Sequence, residues 1–299
     1  MMKSSQKLYL YRYHNMVTSC QLPVARREKG SILIMAIWVL VLFSILCVAA
    51  YNTASSQLRI SQRLKQQLAS LYLAKSAYAY ASTQRKNDTP TYDTLYALRH
   101  LEQKELGMGS YEYIMVDEES RININRTSQD IMEDIPGITE TIAKNILKSD
   151  LYPFNLKEEL LLIDGMDSES FKEAKDYITV YGAGAVNINT ASAEVMGILG
   201  MEEGLIGSIQ FYRQGPDAEE GTEDDRVFES KDTIIERLSS FGSLSAQQHN
   251  LLEQLINDGF LGVFAEYINL EIQTKFLNKP VMKYKILMDK EGIKRWEEK

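Results

Sequence analysis

The feature that most constrains this chain is an apolar run from Ser31 to Tyr51, SILIMAIWVLVLFSILCVAAY, which follows directly on the basic segment ARREKG. Between Ile32 and Tyr51 the one hydroxyl interruption is Ser44, and no charge appears until Arg59. At 1.5 Å per residue such a run reaches across a hydrocarbon layer of roughly 30 Å. A membrane-spanning helix over residues 31–51 is therefore the expectation, with Cys47 packing inside it as a small apolar side chain. Arg26, Arg27 and Lys29 flank its start, and the positive-inside rule places everything after the run outside the cytoplasm.

Secretory signals have a shorter apolar region, about 7 to 15 residues, followed by small residues at the cleavage site. Here the small residue, Gly30, precedes the run, so cleavage there would leave the anchor on the mature protein. A basic leader ending in Gly before an intact apolar helix resembles the type IV prepilin and pseudopilin families. That resemblance implies that a membrane-embedded prepilin peptidase cuts after Gly30 and methylates Ser31 as the first mature residue. The leader has a second plausible start at Met16. Most members carry Glu at the fifth mature position; here it is Met35, and absence of that Glu is characteristic of the minor pseudopilin K family of type II secretion.

Beyond the anchor no Gly or Pro occurs before Pro90, which favours one long helix. Leu64, Leu68, Leu71, Ala74, Tyr78 and Ala81 step by three and four and mark its apolar face. Asn87-Asp88-Thr89-Pro90 reads as a turn, and a helix over Tyr92–Leu106 follows. Tyr111–Val116 and Arg121–Asn125 then read as strands on either side of an acidic turn, Asp117–Ser120.

The segment from Asn123, NINRTSQDIM, recurs 64 residues later from Asn187 as NINTASAEVM. Thr127 or Ser128 and Ala191 or Ser192 stand where a helix would begin, with Asp130 and Glu194 in its first turn. Each copy runs into a glycine turn, at Gly137 and at Gly200, and then a second apolar helix, Ile142–Leu147 and Leu205–Phe211. Leu160–Met166, around Gly165, repeats the plan more loosely. The arrangement resembles helix-hairpin-helix units, in which hairpin glycines let backbone N–H groups approach a DNA phosphate. A membrane-anchored DNA-binding protein of a competence or type IV pilus system is thus the rival reading. Glu133, Asp134, Asp164, Asp167, Glu202 and Glu203 surround the hairpins, and with residues 1–30 removed the chain carries 27 basic against 40 acidic residues, net -13. Phosphate binders draw their affinity from Lys and Arg.

Residues 217–225 crowd six carboxylates, Asp217, Glu219, Glu220, Glu223, Asp224 and Asp225, around Gly221. Calcium takes six to eight oxygen ligands, and a Gly permits the turn that gathers them; the spacing is not that of an EF-hand. A solvated acidic loop is the plain alternative. Ser230 and Asp232 are candidate caps for a helix over Thr233–Leu238, and Ala246–Ile256 forms another. Tyr267–Thr274 alternates apolar with polar residues, Lys279-Pro280 reads as a turn, and Val281–Met288 closes a hairpin. Gly182-Ala-Gly184 lacks the third Gly and preceding strand of a dinucleotide fingerprint and reads as a flexible link. His100 and His249 have no zinc-like spacing around them, Cys20 and Cys47 cannot staple the exported part, and nothing in the chain reads as an enzyme.

Taken together the order of anchor, strands, duplicated helical segment, acidic loop and terminal hairpin resembles the minor pseudopilin K family over residues 26–288. The implied fold is α+β: a pilin-like N-terminal transmembrane helix and small antiparallel sheet with a large inserted α-helical domain of helix-hairpin-helix-like, SAM-like repeats. The expected division is a leader at 1–30, the membrane helix at 31–51, stem and first strands at 52–122, the insertion at 123–265 and completing strands at 266–299. The acidic loop resembles a GTxDD calcium loop of that family, which implies Asp217, Asp224 and Asp225 as side-chain ligands and Thr222 as a carbonyl ligand, leaving Glu219, Glu220 and Glu223 undecided. Implied partners are the minor pseudopilins I and J, the prepilin peptidase, the inner-membrane assembly platform, and the secretin or exported substrates, with the soluble part in the periplasm, at the tip of a pseudopilus, and no nucleic acid bound.

Overall fold

A computed structural model describes residues 28–87 and 91–299, with side chains from Ser31 onward. The leader with Met16 and Cys20, and residues 88–90 of the expected turn, lie outside the described residues. Two compact units are distinguished, Met1–Leu64 and Lys65–Lys299. Helix α1 (Glu28–Asn87) begins in the first and ends in the second. Its apolar side chains from Ile32 to Val48 are all exposed, and among the described residues it is the helix long and apolar enough to cross a membrane.

In the second unit the end of α1 lies against a sheet. Of the expected apolar face, Ala74 and Ala81 are buried and Leu71 and Tyr78 pack partly buried against the core, while Leu64 and Leu68 stay exposed; Ser70, Leu73 and Ala77 complete the buried stripe. Small side chains let the helix backbone approach the sheet closely. Ser70 Oγ lies 2.5 Å from Thr274 Oγ1 and 3.0 Å from the Tyr284 hydroxyl, a buried polar pin that fixes the helix on the strands.

Helix α2 is short, Leu95–Arg99, and starts at Thr94, whose hydroxyl accepts from Ala97 N. The helix expected over 92–106 ends there because Glu102–Leu106 is strand β1, turned at Gly107 (φ +62) onto β2 (Gly109–Asp117). Gly109 allows Lys275 and Leu73 to approach where a Cβ would stand. The expected strand at Arg121–Asn125 shrinks to β3 (Ile122–Asn123), which pairs in parallel outside the main sheet. The acidic turn before it is no solvent loop: Asp117, Glu118 and Glu119 are buried.

From β3 the chain builds α3 (Gln129–Glu133), α4 (Glu140–Lys148), a 3₁₀ turn at Lys157–Leu162, α5 (Ser168–Ala174) and β4 (Ile178–Thr179), the last pairing with β3. It then repeats the series: β5 (Val186–Asn187), α6 (Ala193–Ile198), α7 (Glu203–Arg213), a 3₁₀ turn at Lys231–Thr233 leading into α8 (Ile234–Phe241), α9 (Ala246–Asn257) and β6 (Leu261–Gly262), which pairs with β5. Ser128 and Ser192 cap α3 and α6 in the same way. The duplication therefore runs through both whole series, and the looser helix–glycine–helix unit around Leu160–Met166, made by the 3₁₀ turn, Gly165 (φ +89) and α5, is the second half of the first copy. Both copies share one apolar core, from Ile122 to Val263.

The chain returns as β7 (Ile268–Phe276), β8 (Lys279–Met288) and β9 (Ile293–Glu298). The five-stranded antiparallel sheet has the order β1-β2-β7-β8-β9, so its strands come from both sides of the helical segment. Leu277 and Asn278, both at positive φ, make the β7–β8 turn, whereas Lys279 and Pro280 expected there already belong to β8. A two-residue left-handed turn matches the twist of the flanking strands. β9 adds a third strand to the expected terminal hairpin, with Trp296 set edge-on against Tyr284.

Candidate functional site: a duplicated asparagine clamp and its acidic loop

The paired asparagines that reveal the duplication do the same work in each copy. Asn123 Oδ1 accepts from Asn125 N at 2.9 Å, and Asn187 Oδ1 accepts from Asn189 N at 3.0 Å. The second asparagine then clamps a phenylalanine backbone. Asn125 donates to Phe154 O at 2.8 Å and accepts from Phe154 N at 2.8 Å; Asn189 donates to Phe228 O at 3.0 Å and accepts from Phe228 N at 2.9 Å. An amide is suited to this because one side chain presents both a donor and an acceptor.

The two clamps differ in reach, 29 residues from Asn125 to Phe154 and 39 from Asn189 to Phe228. That excess is where the acidic loop sits, after α7 and before Phe228. Its ends are joined by Arg226 N donating to Arg213 O at 3.1 Å. Gly215 (φ +66) lies against Asp224, where a Cβ would stand 2.3 Å from the Asp224 carbonyl oxygen.

Within the loop Asp224 is the hub. Its Oδ2 accepts from Asp217 N at 3.2 Å and its Oδ1 from the Thr222 hydroxyl at 2.8 Å. Asp225 Oδ2 accepts from Gly221 N at 2.8 Å, and Asp217 Oδ1 from Glu219 N at 2.9 Å. The Thr222 hydroxyl first, with the Asp217 backbone N–H, holds the Asp224 carboxyl below the usual carboxylate range. Asp217, Thr222, Asp224 and Asp225 are thus brought together in one loop, but their carboxylates face N–H and hydroxyl donors, and among the described residues no group of three His, Cys, Asp or Glu side chains converges as a metal cluster. Glu220 has another engagement, with Arg213 at 3.1 Å. Arg213 is buried and also donates to the carbonyls of Ile188 and Ala191 at 3.2 and 2.7 Å, tying the loop to the second asparagine segment. Burial pushes its guanidinium pKa down, against the pull of Glu220.

Of the other residues singled out from sequence, Ser31 and Met35 are exposed on the first turns of α1, whose helical span also includes Gly30. Gly137 (φ +81) is required by packing: a Cβ there would lie 2.2 Å from Ser170 O. Gly200 (φ +82) faces open space, beside exposed Glu202 and Glu203. Gly182, read as part of a flexible link, is pressed against the Glu119 carboxyl, and its carbonyl accepts from Asn123. Arg213 and the clamp role of the asparagines were missed; the repeat itself was the available signal for the latter, since polar residues kept in both copies beside buried isoleucines call for partners.

A helix-hairpin-helix motif family matches residues 117–179, the first copy with the carboxylate turn before it. The chain is also similar to endonuclease/exonuclease/phosphatase family domain-containing protein 1 of Xenopus laevis, 29% identical over 135 residues that cover 36% of this chain and 24% of that protein. It thus spans about a quarter of that relative's length. Among solved structures, the crystal structure of the GspK–GspI–GspJ complex of the enterotoxigenic Escherichia coli type 2 secretion system matches with 15% identity and a TM-score of 0.52, over 82% of this chain and 99% of the matched chain. The chain has a GspK-like fold. In this GspK-like fold the expected combination of apolar stem, antiparallel sheet and inserted helical repeats is present, and the second copy and the acidic loop lie beyond the residues that the motif family matches.

Proposed function

We propose that this chain is a minor pseudopilin of a type II secretion system, anchored by α1 in the inner membrane with the sheet and helical copies in the periplasm. The observation that carries this reading is the topology: a stem helix laid on a sheet whose strands are split by the duplicated helical segment, a plan shared over 99% of a chain in a pseudopilin complex. Cleavage after Gly30 and methylation of Ser31 by the prepilin peptidase would free the stem for assembly. The partners are minor pseudopilins I and J, with the assembly platform beneath and the secretin and exported substrates beyond. A bulky domain split into the sheet suits the tip of the pseudopilus, where nothing stacks above it.

The acidic loop is the calcium site of this proposal. Its candidate donors, Asp217, Asp224, Asp225 and the Thr222 carbonyl, are all oxygen and lie in one loop, the chemistry a hard cation takes; in the structure they accept from N–H and hydroxyl donors, so binding requires them to turn from those partners toward the ion. Bound calcium would supply a fixed loop conformation, with Glu220 held back as the counter-ion of Arg213. DNA binding has less support: Gly137 is occupied by Ser170, and the open hairpin at Gly200 is flanked by carboxylates.

The discriminating experiment is co-purification of the tagged full chain with minor pseudopilins I and J, alongside titration with double-stranded DNA at physiological salt. Stable association with the two pseudopilins is expected. Salt-sensitive DNA binding without them would overturn the proposal.

A further inference from the structure

Six carboxylates crowd residues 217–225, and among the described residues a single salt bridge reaches them, from Arg213 to Glu220 at 3.1 Å. Asp217, Asp224 and Asp225 accept from N–H and hydroxyl groups of the loop itself, while Glu219 and Glu223 are exposed. Like charges held this close repel, and the repulsion favours an open loop unless a cation offsets it. Arg226, at the far end, turns its guanidinium over the Phe241 ring instead, 4.4 Å from the centroid.

Arg213 is placed by the helix that carries it. Leu205, Ile209 and Arg213 step by four, so the arginine stands on the buried face of α7 and is 4% exposed. A guanidinium offers five N–H donors, and taking its charge out of water is costly unless it is paired. Nη1 donates to the Ile188 and Ala191 carbonyls, Nη2 donates to Glu220, and Nε has no partner. Glu220 is thus the carboxylate that neutralises a buried charge. The Arg213 carbonyl meanwhile accepts from Arg226 N and joins the two ends of the loop, and Ile188 and Ala191 bracket Asn189, the residue that clamps Phe228. One residue therefore ties together the ends of the loop, its middle and the second clamp. In the first copy α4, the counterpart of α7, contains no arginine, and the chain passes on to Phe154 without an acidic loop.

Building on the proposed calcium loop, we infer that Arg213 is its resident cation: it holds the loop closed on the second asparagine segment through Glu220, and a calcium ion taken by the other oxygen ligands is an interchangeable counter-ion for that closure. Removing either cation alone leaves the loop shut. The clamp on Phe228 is then kept even where calcium is too scarce to fill the loop, and calcium becomes essential to it only when the Arg213–Glu220 pair is broken.

The test is limited digestion of the full chain in detergent micelles by a glutamate-specific protease, in EDTA and in excess calcium, for the parent, Arg213→Met and Glu220→Gln. Mass spectrometry reads cleavage after Glu219 and Glu223, which all three proteins retain. Cleavage of a native loop follows the population of its open form. In EDTA both variants should be cut about tenfold faster than the parent or more, the weight of a hydrogen bond to a charged group. Calcium should return both close to the parent's rate, a rescue that a purely structural role for Arg213 does not give. Glu220 lies at the surface, so Glu220→Gln keeps the test decisive if Arg213→Met fails to fold. Variants cut no faster than the parent in EDTA would overturn the inference. So would variants that stay fast in calcium although calorimetry shows the ion bound, since Arg213 would then be a fixed pin and not an exchangeable cation. Absence of calcium heat from the parent and both variants would remove the calcium reading and the interchange with it, a result distinct from the EDTA comparison, which by itself decides whether Arg213 holds the loop.

Discussion

Replacing Asn189 with alanine removes the side chain that supplies partners to both backbone groups of Phe228, a residue with no exposed surface. A buried donor or acceptor stripped of its partner costs about 1–3 kcal/mol, so losing the partner of Phe228 N–H and C=O together costs about 2–6 kcal/mol. The third contact, to Val263 O, adds little: at 3.5 Å it is long, and that carbonyl keeps the Asp93 N–H at 2.8 Å. Asn125→Ala removes the same set of bonds in the first copy, but Asn125 is only half-buried and water can replace part of what is lost. The expected order is therefore Asn189→Ala well below Asn125→Ala in stability, measured by reversible urea unfolding of the full chain in micelles followed by circular dichroism. An Asn189→Ala variant within 1 kcal/mol of the parent, or Asn125→Ala as the costlier of the two, would refute the clamp argument.

Gly137→Ala and Gly200→Ala share a positive φ but differ in surroundings, so Gly200→Ala should cost about 1–2 kcal/mol and Gly137→Ala distinctly more, because the Ser170 carbonyl blocks its Cβ; equal melting shifts would count against that packing. Calorimetric titration with calcium should give heat and a rise in melting temperature that Asp224→Asn abolishes and Glu220→Gln largely leaves; no heat in the parent would remove calcium from the proposed function. Gly30→Leu should block leader removal and leave residues 1–30 on the chain in the membrane fraction, read by mass spectrometry of the N-terminus, and normal processing of that variant would mean the junction is not a prepilin site.

The outcome for individual elements shows where sequence patterns stop being informative. Aromatic and β-branched residues mark β2 and alternation marks β7, while β1, with the charged sequence EQKEL, carries neither signal and is a strand through its pairing with Gly109–Tyr113. The caps were legible to within one residue, Thr127 or Ser128 and Ala191 or Ser192, because capping is local; the structure uses Ser128 and Ser192. The apolar face of α1 was legible in part: Leu71, Ala74, Tyr78 and Ala81 do face the core, Leu64 and Leu68 stay exposed, and Ser70, Leu73 and Ala77 join the buried stripe.

By itself the sequence determined the apolar span of 21 residues from Ser31, the order of stem, strands and helical repeats, and the composition of the acidic loop, since each depends on residues near one another along the chain. Tertiary structure alone decided that the duplication extends to β4 and β6, that Phe154 and Phe228 are the clamped partners, and that Asp117, Glu118 and Glu119 are buried. Those facts arise from contacts across 29 to 151 residues, where a carboxylate's or an amide's role is set by which distant donor meets it. Periodicity encodes which face of an element is apolar; it does not encode what that face will meet.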